Sequence, residues 1–204
     1  MDDCLASLEG IAQQIVVVDT NSSDRTLEIA KNHGATLSQP SDWPGFGPQK
    51  NRALDLATGD WVLSLDADER LTPALQVEIA GILEKPSNVT CFAIPRLSWY
   101  CGRFIRHSGW NPDYVDRLFQ RGTAKFSNDL VHERLIPSGA VVKLKNHMLH
   151  YSFMNYSQVL QKIDRYSSAS AEQAFAKGKR SSPLAAIGHG AWSFFRTYLI
   201  RLGF

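Results

Sequence analysis

The run Gly59-Asp60-Trp61-Val62-Leu63-Ser64-Leu65-Asp66-Ala67-Asp68-Glu69 decides the fold. It opens on a turn residue, continues as a short apolar stretch and ends in carboxylates. Too short for a helix and bounded by glycine and acids, it reads as a buried strand. In open α/β sheets, ligands bind outside the carboxyl ends of strands. Asp66 and Asp68 stand at such an end, two residues apart. That spacing turns both carboxylates the same way from an extended chain. Two hard oxygen ligands there suit a divalent cation, Mg²⁺ or Mn²⁺, with other coordination positions left for water and phosphates. The competing reading is that the acids only cap the next helix. Thr72-Pro73 weakens it, because that pair supplies a cap and a helix-opening proline by itself.

Working outward towards the N-terminus, Ile15-Val16-Val17-Val18-Asp19 is a second buried strand ending in a carboxylate. Residues 2–10 read as the tail of a helix, with Leu5 and Leu8 on one face and Gly10 at the stop. An α/β sheet normally opens with a strand, so the first strand is read as missing. After Asp19 a polar loop leads to a helix over about 24–33, capped by Ser22 or Ser23 and ended by Gly34. A short strand is expected at 35–39. Trp43-Pro44-Gly45-Phe46-Gly47-Pro48 is a loop that either packs on the core or covers a ligand. A helix over 49–58 follows, with Lys50 and Arg52 at its start. Cations there oppose the helix dipole and are explained by a nearby anion or by a solvated face. Another helix is expected from Pro73 to about residue 84, stopped before Pro86.

This order, helix and strand alternating, predicts a doubly wound, mostly parallel α/β sheet flanked by helices. Beyond Pro86 the pattern changes to mixed β and loop, with strands expected at 91–96, 98–100, 114–120 and 141–144. Helical periodicity returns over 155–179, then breaks at Lys177-Gly178-Lys179-Arg180. A last amphipathic helix starts at Pro183. The expected division is therefore a main domain over 1–154 and a helical extension over 155–204.

Lys and Arg number 22 and Asp and Glu 20 in 204 residues, a net charge of +2 without a basic run, so no nucleic-acid partner is expected. Three cysteines, Cys4, Cys91 and Cys101, make no C-x-x-C pair, which argues against a zinc ribbon or a disulfide framework and favours a reducing cytoplasm. No uncharged apolar run is long enough to span a bilayer.

Several phrases in order, Val-Val-Val-Asp-Thr-Asn-Ser-Ser-Asp-Arg-Thr, Gln49-Lys50-Asn51-Arg52-Ala53 and Leu65-Asp66-Ala67-Asp68-Glu69, resemble the GT-A glycosyltransferases of family 2. Arg117-Leu118-Phe119 and Val131-His132-Glu133 are similar to the branch that builds bacterial lipopolysaccharide inner core, near the heptose β-1,4-glucosyltransferases. The resemblance implies a GT-A, Rossmann-like fold with a mixed acceptor half. It implies transfer of a sugar, glucose from UDP-glucose, from a nucleotide-sugar donor to a lipid-linked saccharide such as the lipopolysaccharide core. It places Asp19 on the nucleotide base, Asp66 and Asp68 on the metal and pyrophosphate, and Glu133 as the catalytic base. Lys50 or Arg52 would assist at the leaving diphosphate. Arg117 would hold an acceptor phosphate, or else pair at the surface with Asp113 or Asp116. His132 would orient Glu133 on the acceptor side or satisfy a turn. Family members open with a strand and an Asn-Glu pair that this chain lacks, and the chain stops abruptly after Gly203-Phe204, so it reads as clipped at both ends.

The implied acceptor is lipid-anchored. The segment from Pro183 joins Phe, Tyr and Trp to Arg196 and Arg201, with Lys177, Lys179 and Arg180 ahead of it. That mixture suits a helix lying on the cytoplasmic face of the inner membrane; the alternative is that its apolar face closes on protein. His147 and His150 lie in strand and loop surroundings, which disfavours zinc. Trp99, Tyr100, Phe104 and Trp110 either stack on a sugar or pack together. Two rivals stand against this reading. Aspartyl-nucleophile phosphatases also place D-x-D after a strand, but need Thr or Val where this chain has Arg70. A non-catalytic fragment that binds membrane or a partner would bind no nucleotide sugar.

Overall fold

The computed structural model describes residues 1–85, 88–128 and 133–203, the side chain of Ala169 excepted. The elements in chain order are α1 (Asp2–Ala6), β1 (Val16–Val18), α2 (Thr26–Asn32), β2 (Thr36–Ser38), α3 (Phe46–Asp55), β3 (Trp61–Leu63), β4 (Glu69–Leu71) and α4 (Pro73–Leu83). They continue as β5 (Cys91–Tyr100), β6 (Arg103–Phe104), β7 (Asp113–Gln120), β8 (Ala124–Phe126), β9 (Leu135–Pro137), β10 (Val141–Lys143), β11 (Met148–Phe153), α5 (Tyr156–Ala176) and α6 (Pro183–Phe195). A π-helical turn, Arg196–Ile200, continues α6.

The α/β class and the flanking helices are as expected; the strand directions differ. A seven-stranded sheet runs β3-β7-β5-β11-β4, with β6 and β10 also on β5. Within it β3–β7, β4–β11 and β5–β6 are antiparallel, and β5–β10 is parallel. β1 and β2 form a separate parallel pair. The sheet is therefore mixed rather than mostly parallel. Of these antiparallel pairs only β5–β6 is joined by a short return, which dictates its direction. β3 and β4 pair with strands that come much later in the chain, β7 and β11, so their direction is set by the long connections between them. β5 is one ten-residue strand where two were expected.

The chain divides into two compact units, Met1–Arg96 with Tyr114–His150, and Leu97–Asp113 with Tyr151–Phe204. The first holds the core. Leu71, Leu75, Ile79, Phe92, Ile94, Leu118, Leu144 and Met148 form one buried cluster; Cys91, Phe119, Ala124, Phe126 and Leu135 form another. α4 feeds the first cluster with Leu75 and Ile79 on successive turns. Its start is set by Thr72, whose hydroxyl accepts the Leu75 N–H at 3.2 Å, with Pro73 in the first turn, as the sequence predicts. α2 is capped differently from expectation: Asp24, not Ser22 or Ser23, accepts the Thr26 N–H at 3.0 Å.

In the second unit the aromatic residues of β5, β6 and β11 pack on one another. Trp99 meets Phe104 at 4.9 Å and Tyr100 meets Trp110 at 5.6 Å between ring centroids, and Tyr151 and Phe153 complete the cluster. All three cysteines are free thiols. Burial pushes the Cys4 and Cys91 thiols up to about 11.

Candidate active site

Helix α3 brings four neighbouring side chains to four different places. Gln49 is buried and donates to the Thr20 hydroxyl just after β1. Lys50 points to the acid loop after β3. Asn51 pairs with the Phe126 backbone in both senses, Nδ2 donating to O at 3.0 Å and Oδ1 accepting from N at 2.9 Å, as a neighbouring strand would. Arg52 turns back to Asp42 at 2.7 Å and to Gln49 at 2.8 Å. The helix can come this close because Gly47 has no side chain: a Cβ there would collide with the Ser127 carbonyl.

The result is one charged cluster. Lys50 Nζ lies 2.9 Å from Asp66 Oδ1 and 3.0 Å from Glu133 Oε1. Arg117 Nη2 lies 2.5 Å from Asp66 Oδ2 and 2.6 Å from Glu69 Oε1. Burial alone would raise the Asp66 carboxyl, but Arg117 and Lys50 outweigh it and hold it well below the usual carboxylate range. These groups open on a cavity of about 310 Å³ whose walls include Lys50, Asp66, Asp116, Arg117, Phe126 and Glu133.

Asp68 stands apart from that cluster, half-exposed, with its Oδ2 3.4 Å from His150 Nε2. Burial pushes its carboxyl up, but the imidazole bond and charge prevail and lower it. β11 delivers His150 here because its register places that residue opposite Glu69. Among the described residues no three His, Cys, Asp or Glu side chains form a closed metal cage. Asp68 with His150 is an open pair of donors, and both Asp66 oxygens face cations.

Asp19 is buried at the end of β1, its Oδ2 accepting the Ser22 N–H at 3.0 Å. Of the residues expected at the site, the structure gathers Lys50, Asp66, Arg117 and Glu133 in one cavity. Arg52 faces Asp42 instead. Arg117 departs from both expected readings. It is neither a surface partner of Asp113 or Asp116 nor turned out towards an acceptor anion, because the residue is only 5% exposed and its guanidinium is held between Asp66 and Glu69. His132 lies outside the described residues. Trp43 and Phe46 are exposed and stack edge-to-face at 5.0 Å, while Gly45 and Gly47 are buried; Phe46-Gly47-Pro48, expected as loop, is the first turn of α3.

Two residues escaped the sequence reading. Glu69 is completely buried and organises the acid loop. Asp116 lines the cavity, and burial raises its carboxyl. Alternation along 114–120 gave no signal for it, since a period of two turns Asp116 to the opposite face from Arg117, whereas both line the cavity.

An α/β sheet whose strand-end acids meet a helix-borne lysine at an open cavity defines a GT-A domain. Solved structures share the fold. TarS of S. aureus aligns over 74% of this chain and 56% of its own, with TM-score 0.54 and 18% identity. Mannosyl-3-phosphoglycerate synthase from Rubrobacter xylanophilus aligns over 89% and 72%, with TM-score 0.50 and 18% identity. The chain belongs to glycosyl transferase family 2, whose sequence model matches residues 1–142. It is 30% identical over 207 residues to an uncharacterized glycosyltransferase of Rickettsia prowazekii, covering 96% of this chain and 70% of that protein. It is 28% identical to the lipopolysaccharide core biosynthesis glycosyltransferase LpsC of Rhizobium meliloti, covering 87% and 67%.

Proposed function

We propose that this chain is the transferase domain of an inverting hexosyltransferase. It moves a sugar, glucose from UDP-glucose, onto a lipid-linked saccharide of the lipopolysaccharide-core class. The observation that carries the reading is Lys50, which holds Asp66 and Glu133 at 2.9 and 3.0 Å on one cavity. A cation between a donor-side and an acceptor-side carboxylate suits a site where a diphosphate leaves as a hydroxyl attacks.

Glu133 takes the proton of the attacking acceptor hydroxyl, a role for a positioned carboxylate. Lys50 exchanges its carboxylates for the leaving diphosphate and offsets its growing charge. Asp19 orients the nucleotide base. Asp68, with His150 beside it and Asp66 nearby, offers the oxygen and imidazole donors that Mg²⁺ or Mn²⁺ accepts. When bound, the ion supplies Lewis-acid neutralisation of the diphosphate.

The acceptor half of the proposal rests on the second unit. Its last helix exposes Leu184, Ile187, Trp192, Phe194 and Phe195, and no residue of α6 is buried. Lys162, Arg165, Lys177, Lys179, Arg180, Arg196 and Arg201 outnumber Asp164 and Glu172 along the same stretch. Apolar and basic together suit an interfacial helix on anionic lipid at the inner membrane, facing the cytoplasm. Among the described residues no helix is long and apolar enough to cross a membrane.

The test pairs two variants. Asp68→Ala should lose the Mn²⁺-dependent part of UDP binding in calorimetry while staying folded. Glu133→Gln should keep donor binding and lose transfer to a lipopolysaccharide-core acceptor about 100-fold or more. Transfer that survives Glu133→Gln would remove the base from Glu133, and a wild-type chain that binds no nucleotide would remove the enzyme reading.

A further inference from the structure

We propose that Glu69 and Arg117 are positioning residues, a buried charge frame that fixes Asp66 by its backbone and its side chain together. Three contacts close a ring. Glu69 Oε2 accepts the Asp66 N–H at 2.9 Å, Glu69 Oε1 accepts from Arg117 Nη2 at 2.6 Å, and the same Nη2 donates to Asp66 Oδ2 at 2.5 Å. Neither end of Asp66 can turn without breaking this ring. The inference deepens the donor-binding reading of Asp66 and rests on it.

The surroundings say why the charges are there. Glu69 is 0% and Arg117 5% exposed, and their strand neighbours Leu71, Leu118 and Phe119 are core residues. Removing two charges from water is costly, and a well-packed apolar pair at such a place is commonly as stable or more so. β4 and β7 therefore do not need the ion pair to fold. The guanidinium is also not arranged for its own satisfaction. The strong arrangement for arginine is a fork, two N–H groups on one carboxylate. Here one nitrogen serves two carboxylates, and buried Nε has no hydrogen-bond partner among the described residues. An orphaned buried donor is a cost. It is accepted in a geometry whose product is a fixed Asp66, one oxygen on Arg117 and the other on Lys50. Arg96 Nη1, 3.6 Å from Glu69 Oε1, adds a second cation to Glu69 and lines the same cavity.

The experiment separates stability from ligand binding. Glu69→Leu/Arg117→Met replaces the pair by apolar side chains; thermal unfolding and calorimetric titration with UDP and Mn²⁺ are measured on it and on wild type. The expected result is an unfolding temperature at or above that of wild type and UDP affinity lowered tenfold or more. Arg117→Lys keeps a cation near both carboxylates and tests the frame should the double variant fail to fold. It should recover part of the affinity, with a loss of a few-fold only. Wild-type UDP affinity in the folded double variant, or an affinity in Arg117→Lys no higher than in the single variant Arg117→Met measured beside it, overturns the positioning role. Absence of UDP binding in wild type overturns the donor reading itself, and is told apart because it precedes any variant.

Discussion

Helices α4 and α6 begin with nearly the same local chemistry and meet opposite fates. Each has a hydroxyl cap followed by proline: Thr72-Pro73 in one, Ser182-Pro183 in the other. Each cap oxygen accepts the N–H three residues on at 3.2 Å. Both helices are rich in apolar residues. Yet Leu75 and Ile79 of α4 are 0% and 1% exposed, while Leu184 and Ile187 of α6 are 82% and 69% exposed. Local sequence sets where a helix starts; whether its apolar face is covered is decided elsewhere. In the first unit the sheet covers it. In the second the apolar face is open, and an open apolar face of this extent marks an interaction surface.

The sharpest way to break this comparison is to remove apolar side chains from both helices. Ile79→Ala empties a packed position, and a loss of about 2–5 kcal/mol is expected in denaturant unfolding. Phe194→Ser with Phe195→Ser touches no packed core, so stability should move by no more than about 0.5 kcal/mol. Flotation with vesicles containing anionic lipid should reverse the ranking. The double serine variant should lose vesicle binding, and wild-type binding should weaken with salt. A wild-type chain that stays off anionic vesicles at low salt would return α6 to protein packing.

A smaller effect tests how the first unit holds distant segments together. Glu78 on α4 accepts the backbone N–H groups of Lys145 and Asn146 at 3.0 and 2.9 Å, as well as the Asn146 amide. Partial burial raises its carboxyl, but those bonds outweigh it and lower it below its ordinary value. A carboxylate with a depressed folded pKa stabilises above its unfolded pKa and loses that contribution as pH falls through the folded one. Glu78→Gln should cost about 1 kcal/mol at pH 7. The difference from wild type should shrink as both are acidified below about pH 4. A constant difference across that window would mean the carboxylate charge plays no part.

The same contrast explains what the sequence could and could not reveal. Thr72-Pro73, the apolar run Trp61–Leu63 and the helix bearing Lys50 were legible because turn chemistry and short-range pattern determine them. The direction of strand pairing was not, since β3 and β4 take as partners strands far along the chain, β7 and β11, which no local pattern selects. Arg117 and Glu69 were misplaced or missed for one reason: a charge in a sequence reads as surface. Only the fold shows that each is there to neutralise the other beside Asp66. Asp66 and Glu133 were legible as residue types, but their meeting through Lys50 depends on Gly47 and Asn51 seating α3 against Ser127 and Phe126.

The smallest predicted effect returns to the paired caps. Removing an N-cap hydroxyl costs about 1 kcal/mol of helix stability wherever it occurs. In α4 that cost should appear in global unfolding, because Leu75 and Ile79 tie the helix to the core. Thr72 also donates to the His147 carbonyl at 2.9 Å, so Thr72→Ala removes two bonds. In α6 no residue is buried, so a frayed first turn uncovers nothing the core depends on. Ser182→Ala should therefore leave the denaturant midpoint unchanged and speed amide hydrogen exchange only at the start of α6. A midpoint shift equal to that of Thr72→Ala would show that α6 unfolds with the core. Its apolar face would then be covered by protein, and the case for a lipid-facing helix would fall with it.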